Sequence, residues 1–548
     1  MVGEGKKLVV WDIIILLLLA LAIFQPLFFF NEDIALINIA GDLNLGGAID
    51  RIWTESLLGD TGNGGLYRPI PLSSLWIDHQ IWGLNSWGYH LRNIALNMIC
   101  TLLVYLIARQ LIEKKIFAFI PAIFFLFHPA HPATIYWISA RADLFCTMFY
   151  LAGVFFIIRY LRTGSIWKCL LGSIAFLFAL FSKEMAVSAP LIIIPIAFLA
   201  QPEHSHIKKR ILPAFLSATI PAAIYFAIRV AVLGNPFGGG ESYHFPSPGY
   251  IPINLAKSAG FLILPFGHEV AEGLLFANRT LFLGIAILAG FAGIALLALF
   301  TKRDRRNLWF AIAVAISILP VLGLTMRWHM YLPSAFLALL IGNILPKGFT
   351  RIRNIVIVAA LFLFMSSGFV RLAATWDSNS EFNRNLAKKT AAILSTNPDA
   401  DGFVLLLLPS KINRVSTFTN GFPTTVKTIY NEKRPIREFL PSVHSSEYHS
   451  CEYSLTGDLL TVRFDSDSDY IGARIQSYLR GEKGIAQSGD VVTQDGLKLS
   501  VLETNKYGRI STARIFLGQS VLGNNWSVYL YCKGDWKRLQ SIPSKTDY

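Results

Sequence analysis

The sequence predicts a polytopic α-helical membrane protein that ends in a soluble domain of α/β or β-rich type. Only 15% of its 548 residues are charged and 53% are hydrophobic, which gives a mean hydropathy of +0.48. Soluble domains carry about a quarter charged residues. The apolar residues also lie in long runs, such as IIILLLLALAIFQPLFFF at 13–30, and a run of this length is typical of a helix that crosses a bilayer.

The composition changes near residue 376, beyond which no run is long enough to span a membrane. We therefore predict a membrane domain at 1–375 and a soluble domain at 376–548. The net charge of +14 lies mainly in the first domain, where 28 Lys and Arg face 17 Asp and Glu, against 21 and 18 in the second. Because that excess sits in short loops, it indicates membrane topology rather than a nucleic-acid partner.

About eleven apolar stretches are predicted to span the bilayer. They are 8–30, 89–111, 115–128, 144–160, 166–181, 185–200, 211–232, 280–301, 307–325, 328–346 and 353–371. A further stretch, 253–267, is short and interrupted, which favours a re-entrant or interfacial helix. The outer loop 31–88 is rich in Gly and Pro, so we expect short helices separated by turns there.

Basic residues predict the orientation of these spans. Every second loop is short and basic, at 3–7, 113–115, 159–168, 208–210, 302–306 and 347–353. The positive-inside rule places these loops in the cytoplasm. The opposite loops and, with eleven spans, the soluble domain are then extracytoplasmic. This is an integral protein of a plasma or inner membrane, or of the endoplasmic reticulum in a eukaryote.

The soluble domain has the patterns of a mainly stranded fold. Strands are predicted at 402–409 and 455–464, a hairpin at 526–539 and a helix at 380–396. Cys451 and Cys532 lie in this domain and are able to pair if it faces an oxidising compartment, although the sequence leaves pairing open. The other three cysteines lie in apolar spans, as packing residues.

Polar residues concentrate in the outer loops. Glu32 and Asp33 directly follow the first span and are either a solvated cap or a catalytic pair, while Asp42 suits a turn. In HPAHPATIYWISARAD at 128–143, His128 and His131 allow three interpretations: a decorated helix start, a divalent metal site, or an anion site completed by an arginine. Only two histidines are local, so no metal or other cofactor is firmly predicted.

Further charged residues occur at the ends of other spans. Candidate phosphate ligands are Arg68, Arg141, Lys183 and Arg327, and other candidate pocket residues are Tyr67, His90, Asn93, Asp143 and Glu184. Charges so close to hydrocarbon are usually functional, although Lys183 and Glu184 also suit a plain ion pair. Cations at the rim of an apolar bundle suit a lipid phosphate, and a carboxylate suits activation of a hydroxyl. No Walker-type loop or dinucleotide glycine pattern is present in a suitable context.

Six segments in this order resemble the GT-C superfamily of glycosyltransferases that use polyprenyl-phosphate sugars. The similarity is strongest to the branch of transmembrane-and-tetratricopeptide protein O-mannosyltransferases and its prokaryotic relatives. The segments are NEDIALINIA (31–40), YRPIPLSSLWIDHQIWGLNSWGYHLRNIALN (67–97), FHPAHPATIYWISARADLF (127–145), FSKEMAVSAPL (181–191), MRWHMYLPS (326–334) and RLAATWDSNSEFNRNLAKKTAAILSTNPDA (371–400).

The resemblance implies an inverting transfer of a sugar from a polyprenyl or dolichyl phosphate to a hydroxyl of a protein or glycan. It implies Asp33 as the base, assisted by Glu32, with Arg141, Lys183 and Arg327 holding the departing phosphate and His128 and His131 binding phosphate or shaping the pocket. Two features depart from the family. Ala133 stands where a glutamate is common, and a β-rich domain stands where the family has repeats.

Two alternatives come from other functional classes. A transporter or flippase of lipid-linked sugars also needs many spans and cations near the bilayer, but transporters usually carry polar residues at mid-membrane depth. The second alternative is a non-catalytic scaffold that binds glycans. Ala133 supports this alternative, because it replaces a glutamate that is common in the family.

Overall fold

A computed structural model describes most of the chain. The described residues are 2–30, 32–57, 65–112, 115–200, 204–234, 251–264, 302, 304–323, 325–344, 352–407, 409–412, 415–416, 422–439, 442–444, 451–456, 459–464, 470–471, 488–494, 497–504, 510–516, 526–532 and 535–539. They form two compact units. The helical unit comprises Met1–Pro26 and Leu36–Ala374, and the C-terminal unit comprises Leu27–Ala35 and Thr375–Tyr548.

In the first part of the chain, the described residues are mainly α-helical. In chain order they are α1 (Val2–Ala22), α2 (Asp33–Asn38), α3 (Leu45–Thr54), α4 (Pro69–Trp82), α5 (Ser86–Leu111), α6 (Phe119–Leu126), α7 (Pro132–Ile135), α8 (Arg141–Thr163), α9 (Ile166–Ser182), α10 (Ala189–Ala200), α11 (His204–Leu233), α12 (Ile251–Ile263), α13 (Arg306–Ile318), α14 (Tyr331–Ile344) and α15 (Ile352–Ser395). The outer loop 31–88 holds α2, α3 and α4, which confirms the short helices predicted there.

Within the described ranges, four helices are long and apolar enough to cross a membrane, at Ser86–Leu111, Ile138–Thr163, Lys209–Leu233 and Val358–Ser395. Shorter apolar helices lie at Val9–Ala22, Ile166–Ser182, Glu184–Ala200, Ile251–Ile263 and Arg306–Val321. An integral membrane protein is therefore supported, whereas the count of eleven spans is not confirmed. The predicted span 280–301 lies outside the described residues, as does the end of 253–267, whose described part is α12.

Four predicted spans differ from the helices observed. The span 8–30 is wrong at its end, because α1 stops at Ala22 and no helix covers 24–30. A proline disfavours helical geometry in the residue before it, here Gln25. The span 115–128 is a turn of 3₁₀-helix followed by the eight-residue α6, and 328–346 is reduced to α14. The span 353–371 and the separate helix 380–396 are one continuous helix, α15.

Arginines cap the helices that end at the basic loops. Arg162 donates to the carbonyls of Gln110 and Ala200 at 2.6 and 3.3 Å, and Arg210 donates to that of Leu161 at 2.8 Å. Carbonyls of the last helical turn lack partners within the helix and carry partial negative charge. The basic residues that predict topology thus also complete the ends of α5, α8 and α10.

The C-terminal unit contains α16 (Phe422–Ile429) and three sheets. Its strands are β1 (Gly402–Leu406), β2 (Pro409–Ile412), β3 (Val415–Ser416), β4 (Ile436–Phe439), β5 (Ser442–His444), β6 (Cys451–Thr456), β7 (Leu459–Phe464), β8 (Tyr470–Ile471), β9 (Val491–Gln494), β10 (Leu497–Thr504), β11 (Ile510–Phe516), β12 (Trp526–Cys532) and β13 (Asp535–Leu539). The strand orders are β13-β12-β1-β4, β6-β7-β11-β10-β9 and β3-β2-β5-β8. The strand-containing C-terminal region is thus as predicted.

Local patterns in this unit agree with the strands. The predicted hairpin at 526–539 is the antiparallel pair β12–β13, with Cys532 opposite Asp535. In the predicted strand 402–409, β1 ends at Leu406 and β2 begins at Pro409. A disulfide joins Cys451 of β6 to Cys532 of β12, with 5.8 Å between their Cα atoms, so the pairing that the sequence left open is present. Cys100, Cys146 and Cys169 are free and buried.

Candidate functional site

A buried aspartate that sequence reasoning missed, Asp78, binds two arginines. Its Oδ2 lies 2.6 Å from Nη1 of Arg141 and its Oδ1 lies 2.5 Å from Nε of Arg92. The side chains of Asp78 and Arg141 are both 0% exposed, whereas that of Arg92 is 32% exposed. Arg141 also donates to Oγ of Ser74 and to the carbonyl of Tyr89, each at 3.1 Å. This group of charges joins α4, α5 and the first residue of α8.

A second buried carboxylate, on α8, pairs with a lysine. Asp143 Oδ2 lies 2.6 Å from Nζ of Lys183, which follows the last residue of α9, and both side chains are buried. Within the described part of the chain, Asp143 Oδ1 has no hydrogen-bond partner. Both residues were predicted as site candidates, but not as partners of each other.

Glu184 sits between two arginines. Its Oε2 accepts from Nε and Nη2 of Arg68 at 3.1 and 2.8 Å, and its Oε1 accepts from Arg229 at 3.2 Å. Arg229, on α11, also donates to the hydroxyl of Tyr225 at 2.9 Å and to the carbonyl of Gly65. The alternative in which Lys183 and Glu184 pair with each other is not observed, because each pairs with another residue.

These two groups form one ionic cluster, which comprises Arg68, Asp143, Lys183, Glu184 and Arg229. Asp143 interacts electrostatically with Arg68 and Glu184 as well as with Lys183. Three cations and two carboxylates leave one net positive charge. Tyr67, Phe181 and Tyr225 pack beside it with ring centroids 5.9–6.4 Å apart. The most accessible member is Glu184, whose side chain is 31% exposed. An anion is therefore the ligand that this cluster favours electrostatically.

The two histidines of the His-Pro segment are buried and uncharged. His128 donates through Nε2 to the carbonyl of Leu262 at 3.0 Å and accepts through Nδ1 from the amide of Ala130 at 3.2 Å. Burial lowers the pKa of His128 to about 4 and holds the pKa of His131 well below its usual value. His131 Nε2 lies 2.8 Å from Oγ of Ser334.

This pair is poorly suited to a metal. Both ring nitrogens of His128 already bind backbone groups. Among the residues that the structure describes, no group of three or more His, Cys, Asp or Glu is placed to hold an ion. Ala133, where the family commonly has a glutamate, is buried in α7.

The acidic pair lies in the C-terminal unit. Asp33 is fully buried at the start of α2, and its Oδ2 accepts from the amide of Phe30 at 2.9 Å. Glu32 is half-buried. Burial and the neighbouring charge of Asp33 raise the pKa of Glu32 to about 7. Two neighbouring carboxyl groups disfavour each other's ionisation, and burial adds to this effect at Glu32.

The remaining candidates occupy structural positions in the helical unit. Tyr67 donates to the carbonyl of Trp53 at 2.9 Å, and Asn93 donates to that of Ile135 at 3.1 Å. His90 is buried in α5. Arg327 begins a short 3₁₀-helix, and Asp42 lies 3.5 Å from Nε2 of His79. Their assignment to a site stays a prediction.

Besides Asp78, Arg229 is a residue that sequence reasoning missed. Asp78 is the only Asp, Glu, Lys or Arg in α4, and Arg229 follows an uncharged stretch of α11 that begins after Arg210. That isolation is the signal that would have found them.

A protein family matches this part of the chain. Residues 69–229 match the family described as dolichyl-phosphate-mannose-protein mannosyltransferase. The predicted resemblance is confirmed. The segment holds every residue of the ionic cluster except Arg68, which immediately precedes it, and it also holds the Asp78 group and both histidines of the His-Pro segment.

Curated relatives of this chain are named protein O-mannosyl-transferases. The chain is 31% identical over 140 residues to protein O-mannosyl-transferase Tmtc1 of Drosophila melanogaster, covering 26% of this chain and 16% of that protein. It is 31% identical over 122 residues to human protein O-mannosyl-transferase TMTC2, covering 22% and 15%. The match thus spans about a sixth of the length of these relatives.

Two solved structures are similar at a lower level. The oligosaccharyltransferase of Archaeoglobus fulgidus has a TM-score of 0.45 at 13% identity, covering 78% of this chain and 62% of that one. ArnT of Cupriavidus metallidurans bound to undecaprenyl phosphate has a TM-score of 0.41 at 13% identity, covering 71% and 72%. These scores add nothing to the family match.

Proposed function

We propose that this mannosyltransferase-like protein is a membrane glycosyltransferase that moves a sugar from a polyprenyl or dolichyl phosphate to a hydroxyl group. The sugar is mannose or another hexose, and the hydroxyl belongs to a protein or a glycan. The observation that carries the proposal is the ionic cluster, which has one net positive charge and lies in or next to the matched segment. A phosphodiester is a lipid-linked anion, and arginine binds phosphate oxygens in a bidentate manner.

In the proposed reaction, the acceptor oxygen attacks the anomeric carbon of the sugar as the bond to the phosphate oxygen breaks. Asp33 accepts the hydroxyl proton, Glu32 assists or orients the reacting groups, and the lipid leaves as its phosphate. The anomeric carbon inverts because attack and departure occur on opposite faces. A carboxylate within hydrogen-bond reach of a hydroxyl can act as its general base.

The cations are proposed to stabilise the charge that develops on the departing phosphate. Arg68 and Arg229 are the strongest candidates, because both bind the partly exposed Glu184. A phosphate that reached this carboxylate could replace it as the partner of the two arginines. Lys183 and Arg327 remain candidates, as do His128 and His131. Arg141 is fully enclosed by Asp78, Ser74 and Tyr89, which favours a role in holding α8 against α4 and α5.

The proposed site faces the extracytoplasmic side, and so does the C-terminal unit. The short basic loops support this orientation by the positive-inside rule. The disulfide between Cys451 and Cys532 supports it too, because disulfides persist in oxidising compartments.

The test is sugar transfer by the purified protein in lipid nanodiscs, with a polyprenyl-phosphate mannose donor carrying a radiolabel and a library of hydroxyl-bearing peptides and glycans. We expect Arg68→Ala to raise the KM for donor about tenfold or more, since charge-assisted bonds to phosphate contribute roughly 1.5–3 kcal/mol. Arg51→Ala is the matched control, because Arg51 binds the exposed Glu55 at 3.1 Å. Asp33→Asn should abolish transfer without unfolding the protein.

Two outcomes would overturn the proposal. Full activity of Asp33→Asn would refute the assignment of the base. Movement of the donor across a vesicle bilayer without any transfer would identify a flippase instead.

A further inference from the structure

The acidic pair belongs to a segment that packs on α15, more than 340 residues further along the chain. The residues before Asp33 are not helical, and Phe28, Phe29 and Phe30 are buried. Buried backbone groups outside a helix or sheet need hydrogen-bond partners. Two of these partners, Ser380 and Asn383, come from about one turn of α15.

Three contacts fix the segment. Oγ of Ser380 accepts from the amide of Phe28 at 2.7 Å, and Nδ2 of Asn383 donates to the carbonyl of Phe29 at 3.4 Å. The ring of Phe30 packs edge-on against Trp376, with centroids 4.8 Å apart. Positions 376, 380 and 383 follow the i, i+4, i+7 spacing, so they share one face of the helix.

The segment in turn fixes the carboxylate. The amide of Phe30 donates to Oδ2 of Asp33, and the amide of Asp33 donates to the carbonyl of Phe30, both at 2.9 Å. A shift of the backbone at 28–30 therefore moves the carboxylate with it.

The same helix is held by the sheet of the C-terminal unit. Nε1 of Trp536 on β13 donates to Oγ1 of Thr390 at 2.8 Å, and Tyr531 on β12 packs against Phe382 with centroids 6.5 Å apart. Cys532, the next residue of β12, carries the disulfide.

We infer that Ser380, Asn383 and Trp376 are positioning residues for the Glu32–Asp33 pair, and that the C-terminal unit serves to hold this pair in place. This inference rests on the proposed transferase function. The contacts run from β12 and β13 to α15, from α15 to the backbone of 28–30, and from that backbone to Asp33. The strand-containing unit thereby has a role in positioning the acidic pair, which a separate binding module would not have.

The test compares Ser380→Ala and Asn383→Ala with two controls on the exposed face of the same helix, Ser378→Ala and Asn385→Ala. Hydrogen exchange of a peptide covering 24–33 measures directly how firmly α15 holds the backbone of residues 28–30. We expect Ser380→Ala to increase exchange at Phe28 about tenfold. In the transfer assay kcat should fall at least about tenfold while the KM for donor changes less than twofold, because small displacements of a reacting group are costly.

Further readouts separate positioning from general loss of structure. The pH profile of kcat should shift in Ser380→Ala, since the coupling between Glu32 and Asp33 depends on their geometry, and Ser380→Thr, which keeps the hydroxyl, should restore both rate and profile. Faster exchange with unchanged kcat, or equal effects in Ser380→Ala and Ser378→Ala, would overturn the inference. Absence of transfer by the wild-type protein would instead overturn the proposed function.

Discussion

The Asp78 group allows a sharp prediction about stability. Asp78→Ala removes the carboxylate partner of the Arg141 guanidinium, in a place where that side chain is 0% exposed. Removing one partner of a buried ion pair costs about 3–5 kcal/mol, because the other charge remains desolvated. Arg92→Ala is the matched perturbation of the same carboxylate, and since that arginine is 32% exposed, its loss should cost less than about 1 kcal/mol.

The assay is chemical and thermal unfolding in a fixed detergent, followed by the fluorescence of the tryptophans and by resistance to protease. The double variant Asp78→Leu with Arg141→Met should recover most of the loss, because a buried pair replaced by apolar side chains of similar volume is often neutral. Asp78→Asn keeps the shape and provides a milder variant if Asp78→Ala does not fold. Equal costs for Asp78→Ala and Arg92→Ala would refute the reasoning.

Two further predictions concern the C-terminal unit. The pKa of Glu32 is raised from 4.5 to about 7, so the stability that its retained proton contributes is fully present below about pH 4.5 and is lost as the pH rises through about 7. Glu32→Gln should therefore gain stability relative to wild type as the pH rises from 5 to 8, and parallel thermal midpoints across that range would contradict this. Alkylation of the denatured protein should label three of its five cysteines without reductant and five with it, whereas five labels in both would exclude the disulfide.

Local patterns were sufficient to predict part of the fold. The Gly- and Pro-rich outer loop does contain short helices, and the region around Lys-Gly-Asp is a hairpin, because turn residues restrict nearby backbone geometry directly. The family resemblance was likewise recognisable from motifs alone. In each case the information lies within a few tens of residues.

The errors came from interactions distant in sequence. Hydropathy alone joined 13–30 into one span, although the three phenylalanines at its end pack in the C-terminal unit rather than continuing α1. No local sequence pattern at their partners, positions 376, 380 and 383, indicates a contact with residues near position 28. The partners of Arg141 and Glu184 were missed for the same reason, since Asp78 and Arg229 are 63 and 45 positions away.

The contact between Phe28 and Ser380 also has a consequence for synthesis. The two residues are 352 positions apart, so Phe28 cannot find its partner until 352 further residues have been translated. At about 5–20 residues per second, this delay is on the order of tens of seconds. Throughout that time, Glu32 and Asp33 lack the contacts that α15 makes with residues 28–30. A chain interrupted before residue 380 never forms them. Under the proposed function, a nascent polypeptide would then lack a positioned base until residue 380 has been added.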